Sequence, residues 1–183
     1  MLVLCMVSLC LVACTTTHER VPRDAQKQRD TIDAAVDGAL KRLYAQSPAA
    51  RELTAKAHAV LVFPSVVSIG FVVGASNGLG ALRIGDRSIG YYDTTAASFG
   101  LVAGAESRAI YLFFMNQYSL DRFRSSNGWT VGADASITLL EEGADAGIDT
   151  RTAERPVVGY VLTNHGIMAK VSLDGAKVTE LSL

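Results

Sequence analysis

The stretch that decides the fold reads AVLVFPSVVSIGFVVGASNGLGALRI, residues 59–84, and its first charged residue is Arg83. Apolar and β-branched residues form short runs here, separated by turn-prone residues such as Pro64 and the Asn77-Gly78 pair. Further runs follow at 88–94 and 98–105, so β-prone segments recur roughly every ten residues. Such spacing predicts an antiparallel sheet with short turns between its strands.

The pattern continues towards the C-terminus. Residues 110–115 are entirely apolar, which predicts a strand buried on both faces. Residues 116–124 predict a short helix, and Gly85-Asp86 and Asp174-Gly175 predict further hairpin turns. A further strand is expected at 129–140, followed by a polar loop at 141–155 and by two or three closing strands at 157–163, 167–173 and 177–181.

The residues before the sheet region are helical in pattern. Apolar residues between 24 and 46 recur at the spacing of an amphipathic helix: Ile32, Val36, Ala39, Leu40 and Leu43. Ser47-Pro48 then predicts a capped second helix running to about residue 58. The apolar stripe has two interpretations, packing on the sheet or lying in a membrane interface. The expected fold is α+β, with N-terminal helices packed on a large, curved, mainly antiparallel and barrel-like β-sheet of about eight to ten strands.

An uncharged run from Met1 ends in Leu11-Val12-Ala13-Cys14, which resembles the cleavage site of bacterial lipoprotein signal peptides. Fourteen apolar residues are too few to span a bilayer, which takes roughly 20, but they suit a signal-peptide core. No Lys or Arg precedes the run, so we expect the natural chain to begin further upstream. The resemblance implies that Cys14 becomes the acylated first residue of the mature protein.

This interpretation divides the chain into a signal peptide at 1–13, a lipidated linker at 14–23 and a single domain at 24–183. All three cysteines lie at or before Cys14, so the domain has neither disulfides nor cysteine metal ligands. Thr15 follows the anchor where Asp is the familiar signal for inner-membrane retention. We therefore expect lipid anchorage to the outer membrane on its periplasmic face, with surface exposure left open.

The charge distribution argues against a nucleic-acid partner. The chain carries a net charge of −1, whereas nucleic-acid-binding domains usually show a marked basic excess. Residues 15–60 carry +2 and residues 61–183 carry −3, so only the N-terminal part is mildly basic.

The motifs that resemble catalytic sites are weak. Gly74-Ala75-Ser76-Asn77-Gly78 matches G-x-S-x-G, but a nucleophile elbow needs a helix after the serine, and the sequence predicts a turn and a strand. His18, His58 and His165 lack metal-ligand spacing. We expect neither enzymatic activity nor a cofactor or metal, although a hydrolase acting through Ser76 is retained as a remote alternative.

From residue 57 onwards the chain resembles the SYLF domain family, in its bacterial secreted branch. Seven short segments occur in the family's order and usual spacing: AVLVFP (59–64), GFVVG (70–74), GLGAL (78–82), AASFGLVAGA (96–105), LDRF (120–123), GWTVGADAS (128–136) and VSLDG (171–175). Eukaryotic SYLF domains bind phosphoinositide-rich membranes, partly through an N-terminal amphipathic helix, and some fungal members bind and bundle actin.

For an exported lipoprotein the resemblance implies binding of phospholipid rather than actin, possibly through phosphoinositide-type or other anionic headgroups. The candidate headgroup-binding residues are the basic side chains near the tether and on the first helix: Arg20, Arg23, Lys27, Arg29 and Lys41. The alternative is a structural or protein-interaction lipoprotein that contacts an envelope or host protein. An exposed apolar patch around Tyr91, Tyr92 or residues 110–115 would favour that alternative. The oligomeric state is left open.

Overall fold

The computed structural model describes residues 22–70, 73–99, 104–140, 155–163, 166–167 and 173–183. Within them the helices are α1 (Pro22–Gln46), α2 (Pro48–Lys56) and α3 (Gln117–Ser125). The strands are β1 (Ala59–Gly70), β2 (Val73–Ile84), β3 (Arg87–Phe99), β4 (Gly104–Phe114), β5 (Trp129–Thr130), β6 (Ile137–Leu139), β7 (Val157–Thr163), β8 (Gly166–Ile167) and β9 (Lys177–Glu180).

The described strands form one strongly curled, half-barrel sheet in the order β5-β9-β3-β2-β1-β4-β7-β6, with β8 paired to β7. All pairings between these strands are antiparallel except that of β6 with β7. The predicted α+β fold, with helices on a curved and mainly antiparallel sheet, is confirmed.

The long strands run through two of the predicted breaks. β1 continues past Pro64, because a bulge between Val62 and Val66 absorbs the residue that cannot donate to the ladder. β2 continues through Asn77-Gly78, so the hairpin turn predicted there is wrong. Gly78 instead allows β1 to approach closely, since a Cβ at this position would lie 2.8 Å from the Ser65 carbonyl oxygen.

Other local predictions have mixed outcomes. The turn at Gly85-Asp86 is confirmed, with Gly85 at a φ of +58°, and so is the turn at Asp174-Gly175, with Gly175 at +80°. The single strand predicted at 129–140 is wrong, because a turn after Val131 divides it into β5 and the parallel-paired β6. Residues 168–172 of the strand predicted at 167–173, and 141–154 of the loop predicted at 141–155, lie outside the described residues.

Two hydrophobic cores occupy the two faces of the sheet. Side chains of β1 and β4 alternate between them, which explains why residues 110–115 are apolar throughout and confirms burial on both faces. On one face, α3 packs Phe123 against Phe114 and Trp129, with ring centroids 5.0 and 5.3 Å apart. The other face is covered by α1 and α2.

The position of α1 follows from its apolar stripe. Ile32, Val36, Ala39 and Leu43 are at most 4% exposed and belong to the core beneath the helix. The Tyr111 hydroxyl donates to the Ala39 carbonyl oxygen at 2.9 Å, which joins the middle of α1 to β4. The stripe therefore packs on the sheet and is not free for a membrane interface.

The junction between the two helices is formed as predicted. The Ser47 hydroxyl accepts the Ala50 amide at 3.2 Å, and Pro48 occupies the first turn of α2. α2 consequently begins directly after α1 and lies beside it over the same face of the sheet. This arrangement leaves a space between the two helices and the underlying strands.

Candidate functional site

A cleft of about 620 Å³ opens between the helices and the sheet, and we call it the α1–α2 cleft. α1 and α2 form its walls, β1 forms its floor, and the end of β2 with the following turn closes one side. Its lining residues are Asp37, Leu40, Lys41, Tyr44, Thr54, Ala55, Ala57, Ala59, Val60, Arg83, Gly85 and Asp86. The cleft therefore combines apolar walls with charges of both signs.

Arg83 is the most buried charged group of the cleft, at 7% exposed. Its Nη2 lies 2.7 Å from Oδ1 of Asp37 and donates to the Asp33 carbonyl oxygen at 3.3 Å, while its Nη1 donates to the Asp86 carbonyl oxygen at 2.8 Å. Since these groups come from α1, β2 and the β2–β3 turn, Arg83 ties the helix to the sheet. Its positive charge is largely compensated within the protein.

Asp33 extends this network away from the cleft. Its carboxylate accepts the hydroxyls of Ser88 at 2.5 Å and Tyr91 at 2.9 Å. Burial and the hydrogen bond to the Asp33 carboxylate raise the pKa of Tyr91 above its usual value. Tyr91 is therefore held as a neutral hydrogen-bond donor and is part of the helix–sheet contact.

The wall formed by α2 is fixed by a second set of polar contacts. The Tyr44 hydroxyl donates to Oγ1 of Thr54 at 3.0 Å. The Thr54 hydroxyl in turn donates to the Ala50 carbonyl oxygen at 2.8 Å. The Arg51 guanidinium lies 5.1 Å from the centre of the Tyr44 ring. Tyr44 is thus held in place from two sides.

Of the five predicted headgroup-binding residues, Lys41 lies in the α1–α2 cleft, where its side chain is exposed. Lys27 is exposed elsewhere on α1, and the half-buried Arg29 donates to the Leu183 carbonyl oxygen. Arg23 lies in the first turn of α1. The fifth, Arg20, and the predicted anchor Cys14 lie outside the described residues. The structure thus brings one of the five into a cleft with the sheet.

A second cleft, of about 400 Å³, lies on the opposite flank of α1 over β1, β4 and β7, and we call it the arginine cleft. Its lining residues are Arg42, Gln46, Pro64, Ser65, Ser107, Arg108, Ala109, Leu162 and Thr163. It adjoins the β1 bulge, whose register shift brings Pro64 and Ser65 to its edge. Arg42 and the serines Ser65 and Ser107 are exposed here, whereas the side chain of Arg108 points to the other face of the sheet, because Arg108 pairs with Val66 of the core on the α3 side.

An exposed apolar surface lies at other residues than those whose exposure would favour a protein-interaction role. Tyr92 and residues 110–115 are buried, and Tyr91 is half-buried in the Asp33 network. Ile69, which is 64% exposed, and Val67, which is 40% exposed, line a shallow groove of about 780 Å³ at the far end of β1. The residues named as a sign of a protein-interaction surface are therefore not exposed, because alternation within long strands buries them against α1 and α3.

The weak catalytic motif does not form a nucleophile elbow. Ser76 is 8% exposed within β2, its hydroxyl donates to the Ala96 carbonyl oxygen at 3.4 Å, and no helix follows it. In the part of the chain that the structure describes, no three His, Cys, Asp or Glu side chains are grouped to hold a metal. Nor does any helix there have the length and apolar character needed to cross a membrane.

Arg42, Arg83 and Arg108 were not identified as site residues from the sequence. They lie on three different elements: Arg83 and Arg42 lie on the two sides of α1, while Arg108 pairs with Val66 and faces the other side of the sheet. A usable signal existed for Arg83, since it ends a charge-free stretch of 24 residues, 59–82. An arginine at the end of such a strand requires a partner or a polar surface.

Comparison with known protein families gives a match over the second half of the chain. Residues 95–182 fit the family model described as Ysc84, Las17-binding protein actin regulator. The match begins in β3 and extends through β9, so it includes Arg108 but not α1, α2 or Arg83. No curated protein sequence matches the chain.

Proposed function

Since this chain belongs over residues 95–182 to the Ysc84/SYLF family, whose members are linked to actin and lipid binding, we propose that its domain binds phospholipid. We further propose that Cys14 anchors it to the bacterial outer membrane, that the domain faces the periplasm, and that it acts without catalysis. Actin lies outside that compartment. Of the two ligands linked to the family, lipid is therefore the one that a periplasmic domain would meet.

The α1–α2 cleft is the observation that carries this proposal. Its volume of about 620 Å³ falls within the ordinary range of small-molecule sites, roughly 300–1,000 Å³. Leu40 and Val60 offer apolar contact to the glycerol and upper acyl carbons, while Lys41 offers an ammonium group to the phosphate. A phospholipid headgroup has this combination of polar and apolar parts.

The charges of the cleft bear on the type of headgroup. Lys41 is the unpaired cation among the described lining residues, whereas Arg83 is already bound to Asp37. Asp37 and Asp86 place negative charge beside Lys41, which weakens the attraction for a purely anionic headgroup. The cleft is therefore better suited to a headgroup that carries both a phosphate and an amine.

Vesicle co-sedimentation tests the lipid binding. The unacylated chain, residues 15–183, is mixed at low salt with vesicles of phosphatidylcholine, of phosphatidylethanolamine with phosphatidylcholine, and of phosphatidylglycerol with phosphatidylcholine. We expect binding to the amine-containing vesicles that falls about fivefold in Lys41→Gln, because one cation near a membrane contributes about 1 kcal/mol. Lys27→Gln is the matched control and should bind like the parent chain. No binding to any of the three compositions would refute the proposal.

The anchor is tested separately by fractionation. The acylated chain should appear in the outer-membrane fraction, and Cys14→Ala should remove it from that fraction, because attachment by two or more acyl chains is what makes membrane binding stable. If Cys14→Ala stays in the outer membrane without acylation, the proposed anchor is wrong. This outcome is independent of the vesicle experiment.

The exposed apolar surface favours the second candidate function, in which the domain contacts an envelope protein. Ile69 and its pairing partner Ala75 are exposed side by side, and clustered apolar side chains on a surface mark contact sites. A crosslinker placed at Ile69 would capture a protein partner in intact cells, with the exposed Tyr118 on α3 as the control position. Capture at Ile69 together with absent vesicle binding would favour this function over lipid binding.

A further inference from the structure

The helices α1 and α2 cover only part of the sheet face on which they pack. Beneath them, residues of β1, β2 and β4 such as Val62, Ala81 and Tyr111 belong to the core on that side. Further along β1, β2 and β3, the side chains of the same face are exposed. We call this area the uncovered face, and its residues are Val67, Ile69, Ala75, Asn77, Leu79, Thr95 and Ala97.

Alternation and strand pairing place these side chains on one side of the sheet. Val66 belongs to the core under α3, so Val67 and Ile69 lie on the two sides of it in sequence that point the opposite way. Ile69 pairs with Ala75, and Ala75 pairs with Ala97. Because directly opposite residues share a face, the three strands present one continuous surface.

The uncovered face is complementary in shape to itself. Its large side chains, Val67 and Ile69, form an exposed row on β1. The small Ala75 and Ala97, on β2 and β3, line the shallow groove beside that row. In a two-fold dimer the same patch is used by both copies, so the row of each copy can lie in the groove of the other.

The charges of the face also suit a second copy. None of its seven side chains is ionisable, whereas a charge near a two-fold axis would meet its own like charge. At the β3–β9 edge, Asp93 and Lys177 supply one charge of each sign. A membrane-docking surface would instead carry several cations around its apolar residues, and Lys177 is the cation among the described residues that line the groove.

We propose that the uncovered face is the interface of a homodimer of this chain, in which Val67 and Ile69 of one copy pack over Ala75 and Ala97 of the other. The face measures roughly 15 by 17 Å, or about 250 Å² in projection, from the spacing of strands and residues. A stable interface buries about 800 Å² of accessible surface per partner, so the dimer is weak in solution.

Attachment of both copies to one membrane would strengthen the dimer, because it raises their effective concentration. This step rests on the proposed anchor at Cys14, whereas the interface itself does not. The uncovered face shares no residue with the described lining of the α1–α2 cleft. Dimerisation and lipid binding can therefore fail independently.

Cysteine crosslinking of the full chain in intact cells tests the dimer. All natural cysteines lie at or before Cys14, so Ala75→Cys adds a single thiol to the domain. A short bismaleimide should convert this variant to a product of twice the chain's mass, because the two-fold axis lies close to the middle of the face. Tyr118→Cys, which is 71% exposed on α3, is the matched control and should give no such product, and neither should the parent chain.

Charge placed on the row should prevent the dimer. Ile69→Asp brings a carboxylate into the partner's apolar groove, so we expect the yield of dimer from Ala75→Cys to fall about tenfold. Val67→Lys should give a similar loss, and it keeps the test valid if Ile69→Asp does not fold. Tyr118→Asp should leave the yield unchanged.

The proposal is wrong if Ala75→Cys gives no dimer, if the dimer survives both charged substitutions, or if the product contains a different protein. Protection of Ala75→Cys from a soluble maleimide without any dimer would assign the face to the membrane instead. Fractionation of the same cells shows whether the chain is anchored. A chain that proves soluble is crosslinked again after purification, at high concentration, and failure there also overturns the dimer.

Discussion

Arg83 and Arg42 lie on the two flanks of α1 in opposite circumstances. In the α1–α2 cleft, Arg83 is buried and bonded to three backbone or carboxylate groups of Asp33, Asp37 and Asp86. In the arginine cleft, Arg42 is exposed and forms no ion pair among the described residues, while the half-buried Arg108 of β4 points to the other face of the sheet. The contrast shows that the same residue type is tied into the fold on one side of a helix and remains at the surface on the other.

The largest expected effect is the difference between Arg83 and Arg108 in what each contributes to the free energy of unfolding. Arg83→Gln removes several charge-assisted hydrogen bonds and leaves Asp37 without its cation, so we expect a loss of about 2–3 kcal/mol in the free energy of unfolding. Arg108→Gln breaks no ion pair and should cost less than about 1 kcal/mol. Urea unfolding of the two variants measures this difference. Equal losses would show that both arginines are structural.

Alkaline pH should disturb both clefts together, because Tyr111 supports the helix that they share. Burial raises the pKa of Tyr111 to about 12 from the ordinary value of 10.0, while the Arg42 guanidinium opposes the rise. The unfolded chain therefore releases this proton at lower pH than the folded one. The stabilisation is complete below pH 10 and is lost as pH rises to about 12.

The measurement is the free energy of unfolding across that pH range, with Tyr111→Phe for comparison. The variant loses the bond to the Ala39 carbonyl oxygen but should show a flatter decline above pH 10. Burial also raises the pKa of Tyr92 to about 12, on the other face of the sheet, so part of the decline should persist. An unchanged slope in Tyr111→Phe would contradict the assignment.

Removing an acid from the α1–α2 cleft should change its preference for headgroups. Asp37→Asn removes the acid nearest Arg83, so we expect phosphatidylglycerol vesicles to bind about fivefold more tightly through the α1–α2 cleft. Vesicle co-sedimentation of the parent and variant chains measures the change. Unchanged binding would mean that the charge of this cleft does not select the headgroup.

The smallest effect is expected from the cap between the helices. Ser47→Ala removes the acceptor of the Ala50 amide and should cost about 1 kcal/mol in the free energy of unfolding. Since α2 forms one wall of the α1–α2 cleft, vesicle binding should weaken with it. Urea unfolding and vesicle co-sedimentation of the parent and Ser47→Ala chains measure the two effects, and unchanged vesicle binding would show that the cleft does not depend on this cap.

Much of the fold could be predicted because local patterns and the buried core agree. The spacing of Ile32, Val36 and Leu43 predicted α1, and Ser47-Pro48 predicted the start of α2. The strand breaks were misplaced at Pro64 and Asn77-Gly78, since a turn-prone residue inside a strand is tolerated where a bulge or a close approach accommodates it. Such accommodation depends on the neighbouring strand, which lies at a distance in sequence.

The candidate sites were less predictable than the fold. Lys41 was selected for its place on the polar side of α1, but Arg42, one residue later, faces the other cleft because successive helical residues are separated by about 100°. The face that Arg108 takes is set by its pairing with Val66 after the β1 bulge, and Val66 lies 42 residues before it in the chain. Neither relation is visible in local composition.

The sequence by itself determined the α+β class, the helix that covers the sheet and the family resemblance, because these depend on the periodicity of apolar residues and on short segments in order. Tertiary structure alone decided which cations are neutralised. Pairing of β1 with β2 brings Arg83 beneath Asp37, while pairing of β1 with β4 sets Arg108 beside Val66, where it forms no ion pair among the described residues. The physical reason is that electrostatic compensation acts over a few ångströms, and only the folded chain sets those distances.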